Sequence, residues 1–274
     1  MVGRPGSPSP AAAQLAAAAQ LTSRTRAAYD SSAAGWDDGP GLMYQDLARA
    51  LVAAAGPVSG LRVLDLGAGT GAAGAAALAA GAGRVVAADL APAMLARCPP
   101  SVRPIAADAA SLPFRDHSFG LTLAAFCLGH LPDVPAGLAE VRRVTRALAV
   151  SSFAPGWTHP AKRAVDDVLT EFGYQPPGWY REFKQQTEPR SQDPAWLRAQ
   201  LAAASFADVA IKTVRVRTAV AAPAQLAAWR LGLAHVAPFV TALPPARRAD
   251  LSQAAVAAVG AGPLQVSILV LTAA

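Results

Sequence analysis

The chain is poor in cysteine, lysine and charge, and it has no long run of large apolar residues. Its two cysteines, Cys98 and Cys127, form neither a CxxC pair nor a metal-ligand cluster. They read as free buried thiols in a reducing compartment. Only 15% of the 274 residues are charged, against 53% hydrophobic. That balance excludes an intrinsically disordered chain and leaves material for one substantial core. The alanine-rich stretch from Ala11 to Ala19 is too weakly apolar and too broken for a secretory core or a spanning helix. No other segment offers a span, so a soluble cytoplasmic protein without a membrane partner is expected.

The net charge of +6 and pI near 9.9 invite a nucleic-acid reading. Only Lys162, Lys184 and Lys212 are lysines; the remaining positive charge is scattered arginine in an Ala-, Gly- and Pro-rich background. No basic run exceeds pairs such as Arg142–Arg143. This is compositional bias, and no nucleic-acid partner is expected.

What is present is an alternation of elements. Residues 1–10 read as a disordered tail and 11–59 as a helical cap, with helices over 11–29 and 42–55. Short strands follow at 61–66, 84–88, 102–106, 119–126 and 148–153, with helices at about 72–80, 91–97 and 135–146. Strands alternating with helices predict a parallel sheet. Residues 154–191 interrupt the alternation with an aromatic, proline-bearing insertion too long for an ordinary connection. It resumes within 192–274, with a helix at 194–204, strands at 208–217 and 264–271, and a second helical insertion at about 222–258.

The sharpest motif is Val63-Leu64-Asp65-Leu66-Gly67-Ala68-Gly69-Thr70-Gly71. Glycines let the chain turn out of a strand and let the backbone approach a ligand. A nucleotide-type ligand at the carboxyl ends of the strands is expected for an open α/β sheet. Residues 69–74 also satisfy GxGxxG, with Asp89 15 residues past Gly74, so a dinucleotide-binding domain is a competing reading. Three acids separate the two. Asp65, near the end of a buried strand, requires a cation or hydrogen-bond donors. An ammonium group meets that need, and a pyrophosphate does not. Asp89 can accept from both hydroxyls of a ribose. Asp108, flanked by small Ala107 and Ala109, can accept from an exocyclic amine and leaves room for a flat ring. Ammonium, ribose and adenine amine together describe S-adenosylmethionine.

With these residues in view, the sequence resembles class I S-adenosylmethionine-dependent methyltransferases of the small-molecule type, related to the quinone-biosynthesis methyltransferases. The resemblance rests on VLDLGAGTG at 63–71, ADLAPAML at 88–95, AADAASLPF at 106–114 and FGLTLAAFCLGHLPD at 119–133. It implies a Rossmann-like α/β fold: a seven-stranded, mostly parallel sheet, helices on both faces, the last strand antiparallel, and helical insertions forming a lid. The cofactor-binding core is expected over 60–153. Asp65, Gly67, Ala68, Gly69 and Gly71 would hold the methionine portion of the cofactor and Asp89 its ribose. Leu90 and Met94 would pack on the adenine, with Asp108 and the Ala109 N–H at its edge. Ala125 and Phe126 would line the reacting centre, and Tyr29 would close over the cofactor. S-adenosylhomocysteine would be the product.

Methyl transfer needs alignment and proximity above all. A base helps when the acceptor is a hydroxyl or a protonated amine. His130, after the fourth strand, is the candidate catalytic base; alternatively it braces the following helix or lines the pocket without taking a proton. Trp157, His159, Tyr174, Trp179 and Tyr180 are the candidate substrate residues, with simple packing of the insertion as the competing role for each. No Asp/Asn set at metal spacing supports a magnesium-dependent catechol mechanism. AAFCLGHLPD is neither the Asn/Asp-Pro-Pro-aromatic motif of amino-directed DNA enzymes nor the Pro-Cys setting of cytosine-C5 enzymes. The expected activity is methylation of O, N or C of a small organic molecule in secondary metabolism. The alternatives are a fold that keeps the cofactor but catalyses another reaction or serves as a partner, an NAD(P)-dependent oxidoreductase, and an RNA or protein methyltransferase. Acceptor identity and oligomeric state stay open.

Overall fold

The computed structural model describes residues 10–274, with side chains from residue 19 onward. The expected tail at 1–10 lies outside the described residues, apart from Pro10. Two helices lead in, α1 (Pro10–Ser32) and α2 (Pro40–Ala55). The alternating core follows: β1 (Arg62–Leu66), α3 (Ala72–Ala79), β2 (Arg84–Asp89), α4 (Pro92–Leu95), β3 (Arg103–Ala106), β4 (Phe119–Ala125), α5 (Val134–Val144) and β5 (Thr145–Phe153). Next come α6 (Pro160–Glu171), α7 (Gly178–Glu182), a π-helical turn at Phe183–Thr187, α8 (Glu188–Ser191) and α9 (Pro194–Ala203). The chain ends with β6 (Ala210–Arg217), α10 (Pro223–Leu231), α11 (Ala237–Ala242), α12 (Pro245–Ala258) and β7 (Gln265–Ala273).

The strands form one sheet in the order β3-β2-β1-β4-β5-β7-β6. β1 pairs in parallel with β2 and β4, and β7 is antiparallel to both β5 and β6. This is the expected seven-stranded Rossmann-like sheet with an antiparallel last strand. Its inner strands are apolar on both faces because helices cover both, while the edge strands β3 and β6 are largely exposed. Along β1, Val63 joins the core under α2, α6, α10 and α12, while Leu64 and Leu66 join the opposite core with Leu138 and Val141 of α5 and Leu197 of α9. The same alternation recurs in β7, where Ile268 and Val270 face one core and Leu269 and Leu271 the other.

Several boundaries differ from the periodicity: α1 runs on to Ser32, α2 starts at Pro40 and α4 stops at Leu95. The helix expected to reach Arg146 stops at Val144, because Thr145 is already extended (φ −130°, ψ 159°) and opens β5. Strand pairing from Phe119–Thr145 onward overrides the helical spacing there. Among the described residues no helix is long and apolar enough to cross a membrane.

The strand order reverses between β1 and β4, so the loops leaving their carboxyl ends splay apart and open a crevice. Helix α1 lies across that end. Its Asp30 Oδ1 accepts from the Ala93 N–H at 2.8 Å, and the adjoining Asp37 pairs with Arg97 at 2.7 Å, tying the N-terminal segment to α4. On the far side, Arg143 of α5 donates to Leu112 O, Phe114 O and Asp116, while Glu140 accepts from the Leu112 N–H. These bonds hold the loop that starts at Asp108.

Candidate active site

Two adjoining cavities occupy the carboxyl end of the sheet. The first, about 160 Å³, is lined by the glycine loop, the ends of β2 and β4, and α1. Asp65, Asp89 and Asp108 all line it, as do Tyr29, Gly67, Ala68, Gly69, Leu90, Met94, Ala109, Ala125 and Phe126. Gly71 stands outside the lining: it is the left-handed N-cap of α3 (φ 81°) and shapes the loop from behind.

The loop is built by close approach. Gly67 (φ 64°) donates to Ala88 O at 2.8 Å, and a Cβ on it would sit 2.6 Å from Cys127 Sγ. Gly69 (φ 54°) is different, because a Cβ there would meet no protein atom within 4 Å. The backbone is bare where the cavity needs room for a ligand. We expect Gly69→Ala to fold with only a modest fall in melting temperature, about 1 kcal/mol from the left-handed backbone. It should lose at least tenfold in affinity for S-adenosylhomocysteine, read by calorimetry. Unchanged affinity would place the ligand elsewhere.

The acids differ in setting. Asp65 is 1% exposed, and its Oδ2 accepts from the Gly74 N–H of α3 at 2.6 Å. Burial pushes its carboxyl up to about 7; the Gly74 hydrogen bond opposes that shift and the Asp89 charge adds to it. Asp89 receives the Gly69 N–H on Oδ2 and the Ala91 N–H on Oδ1, each at 2.8 Å. Burial raises its carboxyl too, against those hydrogen bonds. Among the described residues neither acid has an ion-pair partner. Asp108 sits exposed at the rim, with Oδ1 on the Ala110 N–H at 2.9 Å. A cavity lined by the buried Asp65 and the half-buried Asp89, neither of them ion-paired among the described residues, fits a ligand carrying a cation.

The second cavity, about 300 Å³, shares Tyr29, Trp36, Tyr44, Phe126 and His130 with the first. At this junction Tyr29 Oη and His130 Nε2 are 3.2 Å apart. His130 stacks on Phe183 (4.6 Å, 6°) in the π-helical turn. Burial lowers the His130 imidazole to about 4, so it is neutral near pH 7. Phe126 holds a strained left-handed backbone (φ 55°) and donates its N–H to Ser151 O at 3.0 Å. Such strain persists where neighbouring structure enforces it, often at sites of function.

Trp157, Trp179 and Tyr180 line the second cavity; His159 and Tyr174 do not. The His159 ring instead caps α6, accepting from the Ala161 N–H at 3.3 Å. Tyr174 acts from behind: its hydroxyl lies 2.9 Å from His235 Nδ1 and donates to His235 O at 3.1 Å. Both residues sit in an aromatic stretch whose composition marks an insertion but not which side chains face inward.

Sequence reasoning missed Thr22, Thr25 and Arg26, which line the first cavity beside Tyr29. Their i, i+3, i+4, i+7 spacing places them on one face of α1 and was the available signal. It also missed Trp36 and Tyr44, which stack at 5.6 Å across the junction, and Arg230 and His235 in the second cavity. The last two come from α10 and the turn after it, and no local pattern announces them.

The sheet order is the one that the resemblance to class I S-adenosylmethionine-dependent methyltransferases of the small-molecule type implies. Residues 64–150 match the methyltransferase domain family. The chain is 36% identical over 155 residues to a malonyl-acyl-carrier-protein O-methyltransferase of Halorhodospira halophila (52% of each chain). It is 38% identical over 130 residues to a demethylmenaquinone methyltransferase of Renibacterium salmoninarum (45% of this chain, 53% of that one). The chain thus spans about half the length of these curated relatives. Among solved structures, phosphoethanolamine N-methyltransferase 2 of Haemonchus contortus, in complex with S-adenosylhomocysteine, matches in fold. Its TM-score is 0.52 at 15% identity, covering 89% of this chain and 57% of that one.

Proposed function

We propose that this protein transfers the methyl group of S-adenosylmethionine to O, N or C of a small organic acceptor, with the cofactor in the first cavity and the acceptor in the second. The observation that carries this reading is the shared wall: Tyr29, Trp36, Tyr44, Phe126 and His130 belong to both cavities. When bound, the cofactor supplies a sulfonium-activated methyl group. The chain's own task is alignment. Asp65 meets the ammonium group, Asp89 the ribose hydroxyls and Asp108 the adenine amine. Gly67, Ala68 and Gly69 give the methionine portion bare backbone, with Gly71 shaping the turn behind them. Leu90, Met94 and the Ala109 N–H frame the adenine. Ala125 and Phe126 face the reacting centre.

The helical insertion at 154–191 acts as the lid of the acceptor cavity through Trp157, Trp179 and Tyr180. Aromatic walls exclude water and favour an organic acceptor over a macromolecular one. His130 touches the junction and is the residue placed to take a proton there. Its burial-weakened basicity suits an acceptor that arrives already ionised, or that loses its proton only as the bond forms. A role in secondary metabolism accords with the size of the second cavity, and a cytoplasmic location with the free thiols Cys98 and Cys127.

The test is calorimetry of the purified protein with S-adenosylhomocysteine, followed by mass-spectrometric search for methylated products in extracts supplied with S-adenosylmethionine. Micromolar or tighter binding with 1:1 stoichiometry is expected. A well-folded protein that binds neither compound would remove the proposal, and binding with no methylated product would favour the non-methylating reading.

A further inference from the structure

The walls of the second cavity are two files of rings. From His130 at the junction one file runs through Phe183 and Tyr180 to His235, with centroid spacings of 4.6, 6.1 and 3.6 Å. From Phe126 the other runs through Phe153 and Trp157 to Trp229, at 4.7, 5.0 and 6.2 Å. In each file two rings separate the junction from the far end. A flat conjugated molecule is the occupant that packs against both.

The far end is polar and positive. Arg230 is 4% exposed, yet it pairs through one guanidinium nitrogen with Asp166, while its Nε has no hydrogen-bond partner. His235, 9% exposed, leaves Nε2 without one. Lys162 and Lys184 also line the cavity; their partners are Asp166 and Glu188. Asp166 therefore serves both Arg230 and Lys162, and three cations face two acids. Burial and these three cations keep the His235 imidazole neutral. The Arg230 Nε–H is an orphaned buried donor, which is costly and in native structures calls for a partner.

Resting on the acceptor reading of this cavity, we propose that its far end is an oxyanion subsite. Arg230, with the surrounding lysine charge, holds a carboxylate of a flat conjugated acceptor, remote from the atom that is methylated. The guanidinium supplies charge-assisted hydrogen bonds, and the two ring files set the distance from that anchor to the Tyr29–His130 junction. Carboxylate, rather than a neutral oxygen, is called for by the uncompensated positive charge.

The probes are 2-naphthoate and its neutral near-isostere 2-naphthamide, titrated by calorimetry into protein saturated with S-adenosylhomocysteine. The carboxylate is expected to bind at least tenfold more tightly than the amide. Arg230→Gln should erase that preference while leaving affinity for S-adenosylhomocysteine unchanged. Because Arg230 is buried and its replacement can unfold the protein, Lys184→Gln on the cavity rim is the second variant; it should reduce the preference about threefold. Equal affinity for the two probes, binding of neither, or a preference untouched in a folded variant overturns the subsite. Failure to bind S-adenosylhomocysteine in the first step would instead count against the methyltransferase reading itself.

Discussion

Asp89→Ala should weaken S-adenosylhomocysteine binding by about 100-fold or more while the protein stays folded. The carboxylate at the end of β2 is held by the Gly69 and Ala91 N–H groups, one on each oxygen. Each oxygen keeps a second lone pair, and those two directions are what a ribose diol would use. Hydrogen bonds to a charged acceptor contribute about 1.5–3 kcal/mol each, so losing two reaches the stated factor with room for water to compensate. The same truncation frees the Gly69 N–H, which loosens the loop and adds to the loss. The fold suffers less, since Asp89 borders a cavity that water can enter and makes no ion pair among the described residues. Asp89→Asn keeps one oxygen acceptor and should fall between the two, at about tenfold. Calorimetry beside a thermal melt separates the effects. An unchanged dissociation constant for the alanine variant would show that the ribose lies elsewhere.

The residues that carry this prediction were legible because their chemistry is local. Asp65, Gly67, Gly69 and Asp89 each end or follow a strand, and parallel strands deliver their carboxyl ends to one edge. Reading the strands therefore brought these residues to one cavity. The junction was less legible. Tyr29 stood out through a family resemblance, but its helical neighbours Thr22, Thr25 and Arg26 did not, because α1 is alanine-rich and its polar face makes a faint stripe. The far end of the second cavity was opaque. Arg230 and Asp166 are 64 residues apart and meet only because α10 packs on α6. The aromatic insertion shows the same limit: composition announced an insertion, while whether Trp157 faces in and His159 caps a helix depends on where α6 begins. Helix–helix packing, unlike a strand edge, leaves no short-range signature of which side chain faces the ligand.

A second large effect follows from the burial of Asp65. Its carboxyl is pushed up to about 7 from an unfolded value near 3.8, by desolvation above all. Between those values the ligand-free folded chain keeps a proton that the unfolded chain has released. Folded stability should therefore fall as pH rises from about 4 to about 7, by up to about 1.4 kcal/mol per pH unit from this group. An ammonium group prefers the ionised carboxylate, so binding in this window expels the proton. Affinity for S-adenosylhomocysteine should then climb steeply, approaching tenfold per pH unit below 7, and flatten above it. Asp89, whose carboxyl is also raised by burial, acts in the same direction. Asp65→Asn retains an oxygen for the Gly74 N–H but has no proton to lose; its affinity should be lower at pH 8 and its pH profile flatter. Proton release can be read independently by repeating the titration at pH 6.5 in two buffers of different ionisation enthalpy. A wild-type affinity constant from pH 5.5 to 7.5, or an Asp65→Asn profile as steep as the parent's, would mean that this carboxylate does not face the ligand's cation. The ligand gain in melting temperature should track the same curve, because the cation relieves the charge whose burial opposes folding.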